Sequence, residues 1–248
     1  MTSQVAIITA LAPRPGHRLQ EIHRALDAAA AEWEWLIQVD EAATGELPAT
    51  LIADPRVAIE ANGERLGIAG TRNRALARSH APVLLNADSD DVPAPGAVDR
   101  LTPAFADPTV GLAFGDWIEH WPDREPWASI TRFTPGRHPP GMLAGIWHRE
   151  HWVPFHLAGA MWRTDAVLAA GGWSALLGGS DIGLLIGVDA AWASVYVPGP
   201  TFTYHHHSSQ ATASRAWQAQ FARDLRFLQR RYEALHPSDT AEVSDGAH

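Results

Sequence analysis

The sequence predicts an α/β protein with a mostly parallel central sheet flanked by helices, and three observations carry that reading. Short β-branched apolar runs alternate with amphipathic stretches through the first half of the chain, the pattern that βαβ units produce. The run Val83-Leu84-Leu85-Asn86-Ala87 is short and mainly apolar, as a strand buried on both faces of a parallel sheet must be. It ends in Asp88-Ser89-Asp90-Asp91, which puts carboxylates just past the strand's carboxyl end, where open α/β sheets hold their ligands.

Residues 4–10 are the first strand. Pro13 and Pro15 then interrupt the chain, and residues 18–31 place Leu19, Ile22, His23, Leu26 and Ala29 at helical spacing. Residues 35–39 predict a second strand closed by Asp40-Glu41, and 57–59 a third. A helix over 68–79 carries several arginines and leads into the strand at 83–87, after which a helix at 95–105 and a strand at 110–114 follow. Residues 117–155 are rich in Pro, Trp and His without a clean period, which reads as a long irregular segment of functional use. An apolar pattern resumes at Met161-Trp162, then a short helix at 165–170, the turn Gly171-Gly172-Trp173, a helix from Asp181, a strand at 194–197 and an extended or looped segment at 201–207. Residues 214–235 give the clearest helix, because Trp217, Phe221, Leu225, Leu228 and Tyr232 form one apolar stripe. Arg215, Arg223, Arg226, Arg230 and Arg231 fill much of its remainder. Such a helix packs on its domain with a solvated arginine face, and peripheral contact with an anionic membrane surface or a homodimer contact are its other uses. Residues 237–248 are small, polar and acidic, and read as a disordered tail.

Composition narrows the chemistry. With 248 residues the chain can bury a full core. A net charge of -9 argues against nucleic acid as a partner, and an acidic protein that handles phosphates needs a cation. There is no cysteine, so disulfides, thiolate zinc sites and thiol nucleophiles are excluded. All 19 basic residues are arginine, which excludes a lysine Schiff base and a P-loop lysine. No leader pattern and no membrane-spanning apolar window is present, and a soluble, cytoplasmic protein is expected.

Asp88 and Asp90, one residue apart on a turn, can reach one hard cation, and Mg²⁺ or Mn²⁺ takes one or two carboxylates plus substrate phosphate oxygens. Alone, an Asp-x-Asp is equally a solvated turn. Gly67-Ile68-Ala69-Gly70-Thr71-Arg72-Asn73 precedes it, and Gly171-Gly172-Trp173 and Gly178-Gly179-Ser180-Asp181 follow far downstream. In this order and spacing, over about residues 4–210, the chain resembles the family 2 glycosyltransferases of the GT-A fold.

The resemblance implies a metal-dependent, inverting glycosyltransferase that moves a sugar from a nucleotide-diphosphate donor to a hydroxyl of a small or medium acceptor. Asp88 resembles the residue that contacts donor ribose or metal, with Ser89 beside it, and Asp90 resembles the ligand of the Mn²⁺ or Mg²⁺ that bridges the diphosphate. The cation offsets charge growing on the leaving phosphate. Thr9, Ala10 and Leu11 resemble the segment along the nucleotide base. Asp40 resembles the acceptor of a hydrogen bond from the base edge, although the family's Asp-Asp-Gly-Ser is here Asp40-Glu41-Ala42-Ala43. Arg72 and Asn73 fall where the family contacts the base, the ribose or the first aspartate. Asp181 matches the general base. The family usually has two acidic residues there, whereas this chain has Ser180-Asp181, and locally either residue also suits a helix N-cap.

His207, then His205, on one face of an extended segment, resemble the histidine that completes the metal shell. The run Tyr204-His205-His206-His207 equally suits a solvated strand edge. Asp91 either supports the metal site or opens the next turn. Trp117, Trp121, Trp127, Trp147, Trp152, Trp162 and Trp173 fall where the family builds its acceptor site, and tryptophans also fill cores. The implied organisation is a nucleotide-sugar-binding half at 1–115, an acceptor-binding and catalytic half of the same domain at 116–210, and an amphipathic helix at 211–236. Two other functions stay open: a sugar-1-phosphate nucleotidyltransferase, whose basic loop is poorly matched by lysine-free residues 11–17, and a non-catalytic member that binds a sugar nucleotide.

Overall fold

The computed structural model describes residues 4–13, 16–153, 155–208, 210 and 214–236. Strands β1 (Val5–Leu11), β2 (Trp33–Val39), β3 (Val57–Ala61) and β4 (Val83–Asn86) pair in parallel in the order β3-β2-β1-β4. Helices α1 (Leu19–Asp27), the single turn α2 (Ala49–Ile52) and α3 (Gly67–Leu76) connect them. Period-two alternation sends Val5 and Ile7 into one hydrophobic cluster and Ala6 and Ile8 into another, so β1 is buried on both faces. Helix α1 ends sooner than the spacing to Ala29 suggests, and the expected 68–79 helix stops at Leu76.

The expected 95–105 helix splits into α4 (Ala97–Leu101) and a 3₁₀ turn over Thr102–Ala106, preceded by the two-residue β5 (Val92–Pro93). Pro103 supplies the physical reason, because it has no N–H to continue an α-helical ladder. Strand β6 (Val110–His120) is much longer than the apolar run 110–114, since its outer half is only partly buried and lacks a clear apolar signal. Residues 117–155 are correspondingly less irregular than expected. They contain β7 (Trp127–Ser129), β8 (Gly136–His138) and α5 (Met142–Glu150).

Strand β9 (Met161–Arg163) runs antiparallel between β4 and β6 and joins the two halves into one mixed sheet. Helices α6 (Thr164–Ala169) and α7 (Ser180–Asp189) follow. Residues 194–197 and 201–207 belong largely to one strand, β10 (Ala193–His205), parallel to β6 and interrupted by register shifts around Pro200. Pro198 and Pro200 cannot donate to a ladder. Asp116 supports the bulge instead, accepting from Tyr196 Oη at 2.9 Å and Gly199 N at 2.8 Å. The division at residues 115/116 falls inside β6, so the two halves share a strand as well as a sheet.

Helix α8 (Arg215–Leu235) begins at Ser214, whose Oγ accepts from Trp217 N, and buries Leu228 and Tyr232. Among the described residues no helix is long and apolar enough to cross a membrane. The tail at 237–248 lies outside the described residues.

Candidate active site

The carboxyl ends of β1, β2 and β4 open onto one pocket of about 320 Å³, which also takes in the first turn of α7 and the start of α8. Its polar wall is built from Asp40 after β2, Arg72 on α3, the acidic turn 88–91 after β4, and Ser180-Asp181 on α7.

Arg72 organises this wall. Its side chain is 1% exposed, with Nη2 donating to Asp88 Oδ1 and Nη1 to Asp181 Oδ1, each at 2.5 Å. Burial opposes the charge of Arg72, but Asp181 and Asp88 outweigh burial and hold the guanidinium protonated. Asn73 secures the neighbouring element: its Oδ1 accepts from Trp173 N at 2.9 Å and its Nδ2 donates to Trp173 O at 3.0 Å. Gly172 has φ +73, and a Cβ there would lie 2.4 Å from Asn73 Oδ1, so only glycine permits this contact. The adjacent pair Arg72-Asn73 therefore ties the acidic turn, the Gly-Gly-Trp turn and α7 together.

The cap of α7 separates two readings of Ser180-Asp181. The N-cap is Gly179, at φ 78, and no side chain caps the helix. Asp181 faces Arg72 and the pocket instead. Its side chain is partly buried, with 36% of it exposed to the pocket. Burial pushes it above the usual carboxylate range; Arg72 opposes the rise, Asp88 adds to it and the Trp173 indole opposes it. A carboxylate with raised proton affinity in a cleft suits proton abstraction.

Asp90 meets His207 Nε2 at 2.9 Å through Oδ2. Asp91 Oδ1 accepts from His205 N at 2.9 Å and so ties the acidic turn to the end of β10. Among the described residues no group of three metal-ligating side chains assembles. The carboxylate and imidazole at Asp90 and His207 nevertheless fit a cation that takes its other ligands from substrate phosphate and water. One Asp88 oxygen is committed to Arg72 and also lies 3.3 Å from Asn86 Nδ2.

Several residues expected at the site sit elsewhere. His205 does not join His207: β10 ends at His205, the His205 ring packs edge-on against His120 at 4.9 Å, and burial lowers its pKa to about 4. Thr9 is fully buried, donating to Ala87 O at 2.7 Å and accepting from Trp35 Nε1 at 2.9 Å. Leu11 shares its face and lies in the core, whereas Ala10, on the opposite face of the strand, lines the pocket. Asn73 is consumed by Trp173 and does not line the pocket. Asp40 lines it but already accepts from Leu66 N at 2.6 Å, Gly67 N at 3.1 Å and Asn62 Nδ2 at 3.1 Å, so it also fixes the start of α3.

Ser89 lines the pocket and bonds His17 Nδ1 at 2.9 Å, while His17 Nε2 contacts Ala12 O at 2.8 Å. His17 thus joins the β1 loop to the acidic turn, and no spacing signal in the sequence pointed to it. Trp217 of α8 also lines the pocket. Its place in the apolar stripe hid that role, because helical periodicity cannot distinguish a core contact from a pocket wall.

The sequence model of Glycosyl transferase family 2 matches residues 17–171. The crystal structure of S. aureus TarS 1-349 in complex with UDP-GlcNAc is similar at TM-score 0.68 and 13% identity, covering 93% of this chain and 66% of that one. TarS 1-349 in complex with UDP is similar at TM-score 0.60 and 13% identity, covering 84% and 61%. S. aureus TarS is similar at TM-score 0.61 and 12% identity, covering 84% and 37%. The chain thus spans less than two thirds of the length of these neighbours. No curated protein matches it in sequence.

Proposed function

The chain belongs to Glycosyl transferase family 2, and on that premise we propose that it transfers a sugar from a nucleoside-diphosphate donor to an acceptor hydroxyl with inversion. The observation that carries this reading is the double ion pair of Arg72, which brings Asp88 and Asp181 to one pocket with Asp90. The donor lies at the carboxyl ends of β1, β2 and β4. Ala10 and Ala12 leave room for a flat base, and Asp40 stands at its edge. A uridine nucleotide is the first donor to test, because the similar TarS structures contain UDP and UDP-GlcNAc.

Asp90 and His207 would hold a divalent cation, Mn²⁺ or Mg²⁺, which when bound supplies Lewis-acid stabilisation to the diphosphate leaving group. Asp181 takes the proton from the acceptor hydroxyl as its oxygen attacks the anomeric carbon, and the bond to phosphate breaks on the opposite side. One base attacking opposite the leaving group gives inversion. Arg72 keeps Asp181 aimed into the pocket and offsets the charge of Asp88 beside the diphosphate. Calorimetric titration of UDP with and without Mn²⁺ tests the donor side. Wild type should show metal-dependent affinity and Asp90→Ala should lose it; full metal-dependent binding in that variant contradicts the assignment.

A further inference from the structure

The pocket that holds Asp181 has two apolar lining residues, Leu177 and Trp217, from outside the family match at 17–171. Leu177, four residues before Asp181, is 70% exposed at the pocket mouth, and Trp217 of α8 stands with it. Neither is a loose side chain on a free loop. Asp224 on α8 accepts from Gly178 N at 3.0 Å, and Gln220 Nε2 steadies the same carboxylate at 2.9 Å. Phe221 packs so closely on Gly178 that a Cβ there would lie 2.9 Å from the Phe221 Cα. Gly179, at φ +78, would put a Cβ 2.9 Å from Leu228 Cδ1. One turn earlier, Trp217 stacks on Phe221 with ring centres 5.3 Å apart and planes 7° from parallel. Helix α8 therefore clasps the loop that leads into α7 and raises a fixed apolar wall beside the proposed base.

We propose that this wall, Leu177 and Trp217, seats the apolar body of the acceptor, so that the acceptor is an amphiphilic alcohol rather than a wholly polar sugar. The inference rests on Asp181 marking the acceptor side of the pocket. The charged groups Asp88, Asp90 and Arg72 serve the donor diphosphate, which leaves the acceptor hydroxyl to Asp181 and the rest of the acceptor to the wall. A polyol lying there would bring hydroxyls against Leu177, whose side chain has no hydrogen-bonding atom to replace their lost water. An alkyl or aryl body meets no such cost and removes both surfaces from water.

The test is calorimetric binding of paired hexyl and methyl β-D-glycosides, with glucose, galactose and N-acetylglucosamine as head groups, in the presence of UDP and Mn²⁺. Within at least one pair the hexyl member should bind about tenfold tighter, the factor for shielding roughly 60 Å² of apolar surface. Trp217→Ala and, separately, Leu177→Ser should erase that difference while UDP affinity stays within about twofold of wild type. Equal affinity within every pair, including no binding to any member, overturns the proposal, as does a variant that weakens UDP as much as the hexyl glycoside. Because binding is read without turnover, an inactive enzyme that still prefers hexyl glycosides counts against Asp181 as base and not against the wall.

Discussion

Replacing Arg72 with Met keeps a buried apolar stem and removes the charge that holds Asp88 and Asp181. Breaking a fully buried ion pair costs about 3–5 kcal/mol, and an exposed pair contributes about 0–1 kcal/mol. The guanidinium is 1% exposed, while Asp88 and Asp181 keep 29% and 36% exposure. Pocket water therefore takes up part of the loss, and the expected cost is about 2 kcal/mol, between those limits. For a chain of this size that lowers Tm by about 4–8 °C. Adding Asp181→Asn should recover about half of the loss, because it removes one of the two uncompensated carboxylates. Urea denaturation at neutral pH reads both effects. If Arg72→Met stays within about 0.5 kcal/mol of wild type, the size of ordinary surface changes, then Arg72 is not the tie between the two halves of the site.

A second test uses Asp189, which lies at the end of α7, is 2% exposed and forms no ion pair among the described residues; its Oδ2 accepts from Ala144 N at 2.8 Å. Burial pushes its carboxyl up to about 7. A raised acid binds an extra proton in the folded state between its unfolded and folded pKa, so it lowers stability as pH rises through that window. Asp189→Asn should flatten the stability profile relative to wild type by about 2–3 kcal/mol between about pH 5 and 8, and parallel profiles contradict the assignment. Gly172→Ala should destabilise by at least about 2 kcal/mol, because it strains a positive φ and drives into Asn73; a wild-type Tm argues against the close approach. His207→Ala should lower the apparent affinity for Mn²⁺ measured with UDP by about tenfold or more, with little change in Tm, and unchanged affinity removes His207 from the metal site.

The alternation of runs in the first half made the parallel strands legible, and the order of Arg72, Asp88, Asp90 and Asp181 made the site legible. What escaped has identifiable causes. β9 is three residues long, too short to show a period, and the bulge in β10 looked like a break because two prolines interrupt it. His205 and His207 were grouped by strand alternation, but the strand ends between them. Asn73 and Thr9 occupy motif positions yet spend their polar atoms on neighbouring backbone and side chains, and Asn73's support of Trp173 depends on a contact across 100 residues of chain. Trp217 needed the packing of α8 on Gly178-Gly179, which nothing local encodes.

The central claim is that Asp181 acts as the base in a donor pocket assembled by Arg72. Asp181→Asn preserves the shape of the side chain and its acceptor oxygen for Arg72 while abolishing its basicity. Measured with a UDP-sugar that the wild type transfers, this variant should keep UDP affinity within about threefold while kcat falls by about 10²-fold or more, the usual weight of a general base. A kcat near wild type, or a parallel loss of UDP binding, contradicts the claim.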